Sequence, residues 1–302
     1  MRFTPQFSKP RPLSVETLTC TRTPSHRVRT RARQPRLLLC LCSALLISFT
    51  AVLAHAQDYT SIVVFGDSLS DTGNFADLTQ AKYGVRIPGP EVDYTDGRFT
   101  DGDDTVPVAK KYFGVWIEQF AATLPSKPLI KNSLDGGTNY AYGSATNGNG
   151  VSTVYFGTSN SLSVNVNNIG QQITDYLASS PQITNKTLVA VWGGSNDILA
   201  ANSADDILKA VIAQALNIQR LIDAGATQFI IPNIPPLGAT PLLNGSPTTS
   251  IPATAAAVLY NQALAAALSI LRDFNFDKHL HLVQFDVFSL FNQSLLRLPN
   301  TR

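Results

Sequence analysis

Three short turns built from small residues carry the groups in this chain that could act together chemically. Ser68 follows Gly66 and Asp67, Gly143 lies within Gly136-Gly-Thr-Asn-Tyr-Ala-Tyr-Gly-Ser-Ala-Thr146, and Asn196 follows Gly193-Gly-Ser195. A hydroxyl at the end of a strand, beside free backbone N–H groups, is placed to act as a nucleophile. The tetrahedral oxyanion that such an attack creates needs two or three preorganised donors. Backbone N–H groups and a neutral Asn amide supply them, and glycine lets the backbone come close to a substrate oxygen. The first turn also has a plainer reading, in which Asp67 and Ser68 only cap a helix.

These turns need strands and helices to bring them together. Ser61–Phe65, Thr187–Trp192, Phe229–Ile231 and His281–Asp286 are short β-branched and aromatic runs, the composition of buried strands. Val115–Leu124 (stopped by Pro125), Ile169–Ala178, Ala204–Ala224 (closed by Gly225) and Ala253–Leu271 have the apolar spacing of helices. Strands alternating with helices predict βαβ units and a mostly parallel sheet. Ser68 and Asn196 then fall at the carboxyl edge, where open α/β sheets bind ligands. The polar stretch Asp71–Lys110 reads as a structured insertion near the site, and the Gly/Ser/Asn-rich segment leading to Asn168 as loop or hairpin. The acids of Asp93-Tyr-Thr-Asp-Gly-Arg-Phe-Thr-Asp-Gly102 do not have calcium-loop spacing. No G-x-G-x-x-G follows a strand, so a dinucleotide cofactor is not expected.

Charge is unevenly spread. Residues 1–56 hold nine of the 23 Lys/Arg and one of the 21 acids, which leaves 14 basic and 20 acidic side chains and a net −6 for the rest. That balance argues against a nucleic-acid partner. Apolar residues 37–54 follow the basic flank and end in Ala54-His-Ala56, the layout of a secretory signal with cleavage after Ala56. An uncleaved membrane anchor is the alternative. Cys20, Cys40 and Cys42 all lie in this leader, so residues 57–302 offer no disulfide, thiolate metal site or Cys nucleophile.

With these residues in hand, the chain resembles a known family. Val64-Phe-Gly-Asp-Ser-Leu-Ser-Asp-Thr-Gly-Asn74 looks like the first block of the GDSL (SGNH) hydrolases. Asn139-Tyr-Ala-Tyr-Gly-Ser-Ala145 resembles the block with their glycine, and Gly194-Ser-Asn-Asp197 the block with their asparagine. Asp96-Gly-Arg-Phe-Thr-Asp-Gly102, followed by Trp116, is similar to the lipase-like branch. The resemblance implies a flavodoxin-like three-layer α/β/α sandwich around a mostly parallel five-stranded sheet. It implies Ser68 as nucleophile, with Gly143 and Asn196 completing the oxyanion hole. It implies an esterase or lipase without metal or cofactor, which the leader would make a secreted one, acting on a small-molecule, lipid or acylated-sugar ester. No stable protein partner follows from it. An acyltransferase, or a lipid- or carbohydrate-binding protein without catalysis, would use the same scaffold.

Two departures stand out. Ser144 replaces a second glycine that the family often carries, and the family's closing Asp-x-x-His block, source of its general base, is missing after the last strand. His279 and His281 precede or open that strand, so both are expected at the amino edge, away from Ser68. The domain 57–302 is therefore expected to be truncated at its C-terminus, its last strand uncovered by a closing helix.

Overall fold

The computed structural model describes residues 58–89, 94, 97–100, 114–157 and 161–297. The leader with its three cysteines, the apolar run 37–54, the cleavage site and the acids Asp93, Asp96 and Asp101 lie outside them.

A parallel sheet of four strands forms the centre, in the order β1 (Ser61–Gly66), β4 (Thr187–Trp192), β5 (Gln228–Pro232) and β6 (His281–Phe285). The register pairs Ser61 with Thr187, Leu188 with Gln228 and Gln228 with His281. β4 is buried along its whole length, as a central parallel strand covered on both faces must be. Val63, Phe65, Val189 and Val191 point to one face and Ile62, Val64, Leu188 and Ala190 to the other, following the two-residue period of a strand.

The first face is covered by α3 (Ile169–Ala178), α5 (Ala204–Asp223) and α6 (Pro247–Phe274), the second by α2 (Trp116–Thr123). Together these make the three expected layers. Burying each large aliphatic or aromatic side chain in them stabilises the fold by roughly 1.5–3 kcal/mol. Helix α6 is apolar and long enough to cross a membrane. Here Ala257, Tyr260, Leu264, Leu268 and Leu271 form a buried stripe at helical spacing, so it serves as a core helix.

The structure corrects or sharpens the expectation in four places. The sheet has four full strands, and the fifth position, on the free side of β1, is held by residues 138–142 alone. Val64 N–H donates to Thr138 O, and Tyr140 and Tyr142 N–H donate to Val64 O and Gly66 O, yet only Asn139 forms a bridge. The ladder is interrupted where Gly66 N–H donates not to this segment but to Gln172 Oε1 at 2.9 Å. The polar stretch opens with a helix, α1 (Asn74–Tyr83). Residues 151–156 and 162–167 form an antiparallel hairpin, β2 and β3, packed through Val164 and Val166 on Phe75 and Tyr142. Finally, β6 is followed by a helix, α7 (Val287–Arg297), capped by Asp286, which accepts the N–H of Ser289 at 3.0 Å. None of its residues is buried, and Val283 and Phe285 of β6 stay exposed.

Candidate active site

β1 ends at Gly66, where a Cβ would lie 2.7 Å from the Trp192 carbonyl oxygen. Only glycine lets the first turn pass β4 this closely. Asp67 is buried, and its Oδ1 accepts the Leu69 N–H at 3.0 Å, folding the turn around Ser68. Ser68 itself is half-buried. Neither its hydroxyl nor its N–H has a hydrogen-bond partner among the described residues. The first N–H groups of α1 are accepted by Asp71, two residues before the cap residue Gly73: its Oδ1 accepts Gly73 and Asn74 N–H, each at 2.8 Å, and its Oδ2 accepts Phe75 N–H at 3.1 Å. The capping alternative for Asp67 and Ser68 therefore falls away, and the hydroxyl of Ser68 is left free.

The second turn is stitched to the first by side chains whose roles the sequence did not reveal. Asn74 donates to Asn139 O and Ala141 O, both at 2.9 Å, and Asn139 donates to Ser70 O at 2.7 Å. Gly143 packs under Phe99, whose ring would be 2.6 Å from a Cβ there. Its N–H donates to Asp71 Oδ2 at 2.8 Å, so in this structure the Gly143 donor is already engaged. The next residue, Ser144, has φ 65° and an N–H with no partner among the described residues.

The third turn closes on the other two. Asn196, half-buried in the first turn of α4 (Ser195–Ala200), donates one amide hydrogen to Ala145 O at 2.9 Å. Asp197 accepts Asn147 N–H at 3.1–3.2 Å. Trp116 of α2 donates to Ser70 Oγ at 3.0 Å and stands edge-on to Trp192, with ring centroids 5.6 Å apart. Arg98 grips Glu118 of α2 through two hydrogen bonds of 2.7 and 2.8 Å. The structure thus joins the turns of Ser68, Gly143 and Asn196 at the carboxyl edge.

Three carboxyl groups lie in the same neighbourhood. Burial pushes Asp67 up to about 7, with the charges of Asp197 and Asp71 adding to it. Burial also raises Asp71 and Asp197 to about 6, against the pull of the N–H groups they accept. His281 is exposed and pairs with the first residue of β5, at the amino edge. His279 is exposed just before it. No group of His and acids suited to a metal ion occurs among the described residues.

A parallel sheet with helices on both faces, and a serine hydroxyl and an asparagine amide at its carboxyl edge, defines an α/β protein with a candidate site built from three turns. Comparison with known proteins makes the class specific. The profile of the GDSL-like lipase/acylhydrolase family matches residues 62–297, and the chain belongs to that family. It is 31% identical over 203 residues to Lipase 1 of Photorhabdus luminescens, covering 65% of this chain and 25% of that protein. It is 28% identical over 211 residues to the phosphatidylcholine-sterol acyltransferase of Aeromonas hydrophila, covering 67% and 52%. A GDSL esterase/lipase of Arabidopsis thaliana is 30% identical over 231 residues, covering 68% and 60%. The chain thus spans between a quarter and about three fifths of these relatives' lengths.

Proposed function

We propose that the protein is a serine ester hydrolase. Ser68 Oγ attacks the ester carbonyl and passes its proton to a general base. The tetrahedral intermediate expels the alcohol to leave an acyl-serine, and water then releases the acid. Oxyanion donors come from the Ser68 N–H, the Asn196 amide and the 143–144 turn. In that turn the Ser144 N–H is free, while the Gly143 N–H must first leave Asp71. The observation that carries this reading is the hydroxyl of Ser68, without a partner among the described residues, on a turn joined to that of Asn196.

Neither described histidine is proposed as the base, because both belong to the amino edge of the sheet. The substrate is proposed to be a small-molecule, lipid or acylated-sugar carboxylic ester. Acyl transfer to an alcohol is the second reading, favoured by the similarity to the Aeromonas acyltransferase. Export, with cleavage after Ala56, is supported by the basic flank, the apolar run and Ala54-His-Ala56. N-terminal sequencing of exported protein tests it, and an intact leader would count against it.

The test of the nucleophile is covalent labelling of the full-length protein with a fluorophosphonate, followed by peptide mass mapping. The adduct should sit on Ser68, and Ser68→Ala should abolish both label and ester turnover. Turnover that survives Ser68→Ala would refute the assignment, and product analysis with a competing alcohol separates hydrolysis from transfer.

A further inference from the structure

Behind Asn196 lies a buried polar network that an ordinary hydrophobic core would not need. Tyr260 of α6 is fully buried beneath the turn that carries Asn196. Its hydroxyl accepts Asn147 Nδ2 at 2.7 Å and presents its single proton to Gln214 Oε1, with Gly193 O at 3.2 Å as a second acceptor. The ring fills the space where a side chain at residue 194 would be: a Cβ there would lie 2.3 Å from Cζ. Gly194, at φ 110°, is the cap of the helix that holds Asn196. Asn147 closes the circuit, since its N–H is accepted by Asp197, next to Asn196, and its Nδ2 also reaches Ala210 O at 3.2 Å.

The network is costly. Asn147 Oδ1 and Gln214 Nε2 are buried without partners among the described residues, and each such atom destabilises the fold. An apolar residue in place of Tyr260 would add to that cost by taking the hydroxyl from Gln214 Oε1. It would also leave the Gly193–Gly194 turn without its hydroxyl anchor and free the amide two residues further on. Burial holds the Tyr260 hydroxyl well above the ordinary tyrosine value, so it stays protonated and can both donate and accept.

We infer that Tyr260 is a positioning residue: through the Gly193 carbonyl and Asn147 it fixes the aim of the Asn196 amide at the oxyanion. This rests on the proposed role of Asn196 in ester turnover. Oxyanion donors are effective because they are preorganised, and a misplacement of about 1 Å can cost up to about 100-fold in rate.

The experiment is a double-mutant cycle in the full-length protein, reading kcat and KM for p-nitrophenyl acetate together with Tm. Tyr260→Phe keeps the ring against Gly194 and removes the hydroxyl. It should lower kcat about 10-fold with KM little changed, and it should lower kcat no further in an Asn196→Ala background. An equal loss in both backgrounds, or no loss of kcat, would make Tyr260 a stability residue only and overturn the inference. If Asn196→Ala alone leaves kcat untouched, the oxyanion reading has failed first, and the inference falls with it. Should Tyr260→Phe not fold, Asn147→Ser breaks the same anchor while keeping the backbone bond to Asp197, and the same two outcomes apply.

Discussion

Asp71 Oδ2 accepts the N–H of Gly143 at 2.8 Å, across 72 residues of sequence. The same carboxylate accepts the first N–H groups of α1, so one side chain fixes the start of a helix and the second turn of the site together. An amide could accept through only one oxygen, leaving its NH2 group facing N–H donors. Asp71→Asn should therefore destabilise the protein by about 2–4 kcal/mol, the cost of leaving one or two buried donors unpaired. Urea unfolding measures it, and a change below about 0.5 kcal/mol would mean the four N–H groups find other acceptors.

Burial of three acids predicts an unusual stability profile. Asp67, Asp71 and Asp197 rise to about 7, 6 and 6, above their values in an unfolded chain. The folded protein therefore binds protons more tightly than the unfolded one between about pH 4 and 7. Stability contributed by these groups then falls as pH rises through that window. Asp206, Asp223 and Asp286 are held below the usual carboxylate range, so they act on the acid side and leave the window to the buried three. Thermal melts from pH 5 to 8 should show Tm falling with pH, and Asp67→Asn should flatten the slope. A Tm that rises across the range, or a slope unchanged in Asp67→Asn, would contradict the assignment.

The sheet was legible because its strands are buried on both faces: Thr187–Trp192 reads as an unbroken apolar run and is observed with the same ends. Helix Ile169–Ala178 was equally plain. Helix α1 was hidden because Asn74, buried at its start, makes its contacts through amide hydrogen bonds to other segments. No period of apolar residues reveals that. The fifth strand was expected from family resemblance, and its place is taken by a bridge around Asn139. Ser68, Gly143 and Asn196 could be picked out because glycine marks their turns. Asp71 could not be, since its role depends on an N–H group 72 residues away.

Ser144 sits at φ 65° without being glycine. A left-handed conformation costs an ordinary residue about 1–2 kcal/mol, partly offset in glycine by the greater freedom of its unfolded chain. Ser144→Gly should thus raise stability by roughly 0.5 kcal/mol and retain ester turnover, since the backbone N–H remains. Ser144→Val should lose both, because a β-branched residue fits this region poorly. Paired Tm and turnover measurements check it. If valine is tolerated as well as glycine, the turn does not hold this conformation in solution.

His279 and His281 are the histidines of the described residues, and any proton acceptor for Ser68 within residues 58–297 would first be sought there. The register decides against both. His281 is level with Gln228, Leu188 and Ile62. The end of β1 at Gly66 lies four residues further along the direction of the strands, about 13 Å at 3.3 Å per residue, and Ser68 lies beyond it. A proton transfer needs hydrogen-bond reach or one bridging water, and no rotamer of either side chain spans that gap. His279→Ala combined with His281→Ala should leave ester turnover within about twofold of the parent, and exposed positions of this kind change stability by only about 0.5 kcal/mol. The measurement is kcat and Tm of the double variant beside the parent. A loss of more than about tenfold in kcat at unchanged Tm, a change in barrier above about 1.4 kcal/mol, would show a histidine from the amino edge acting at Ser68. It would also require a different placement of β6 in the sheet.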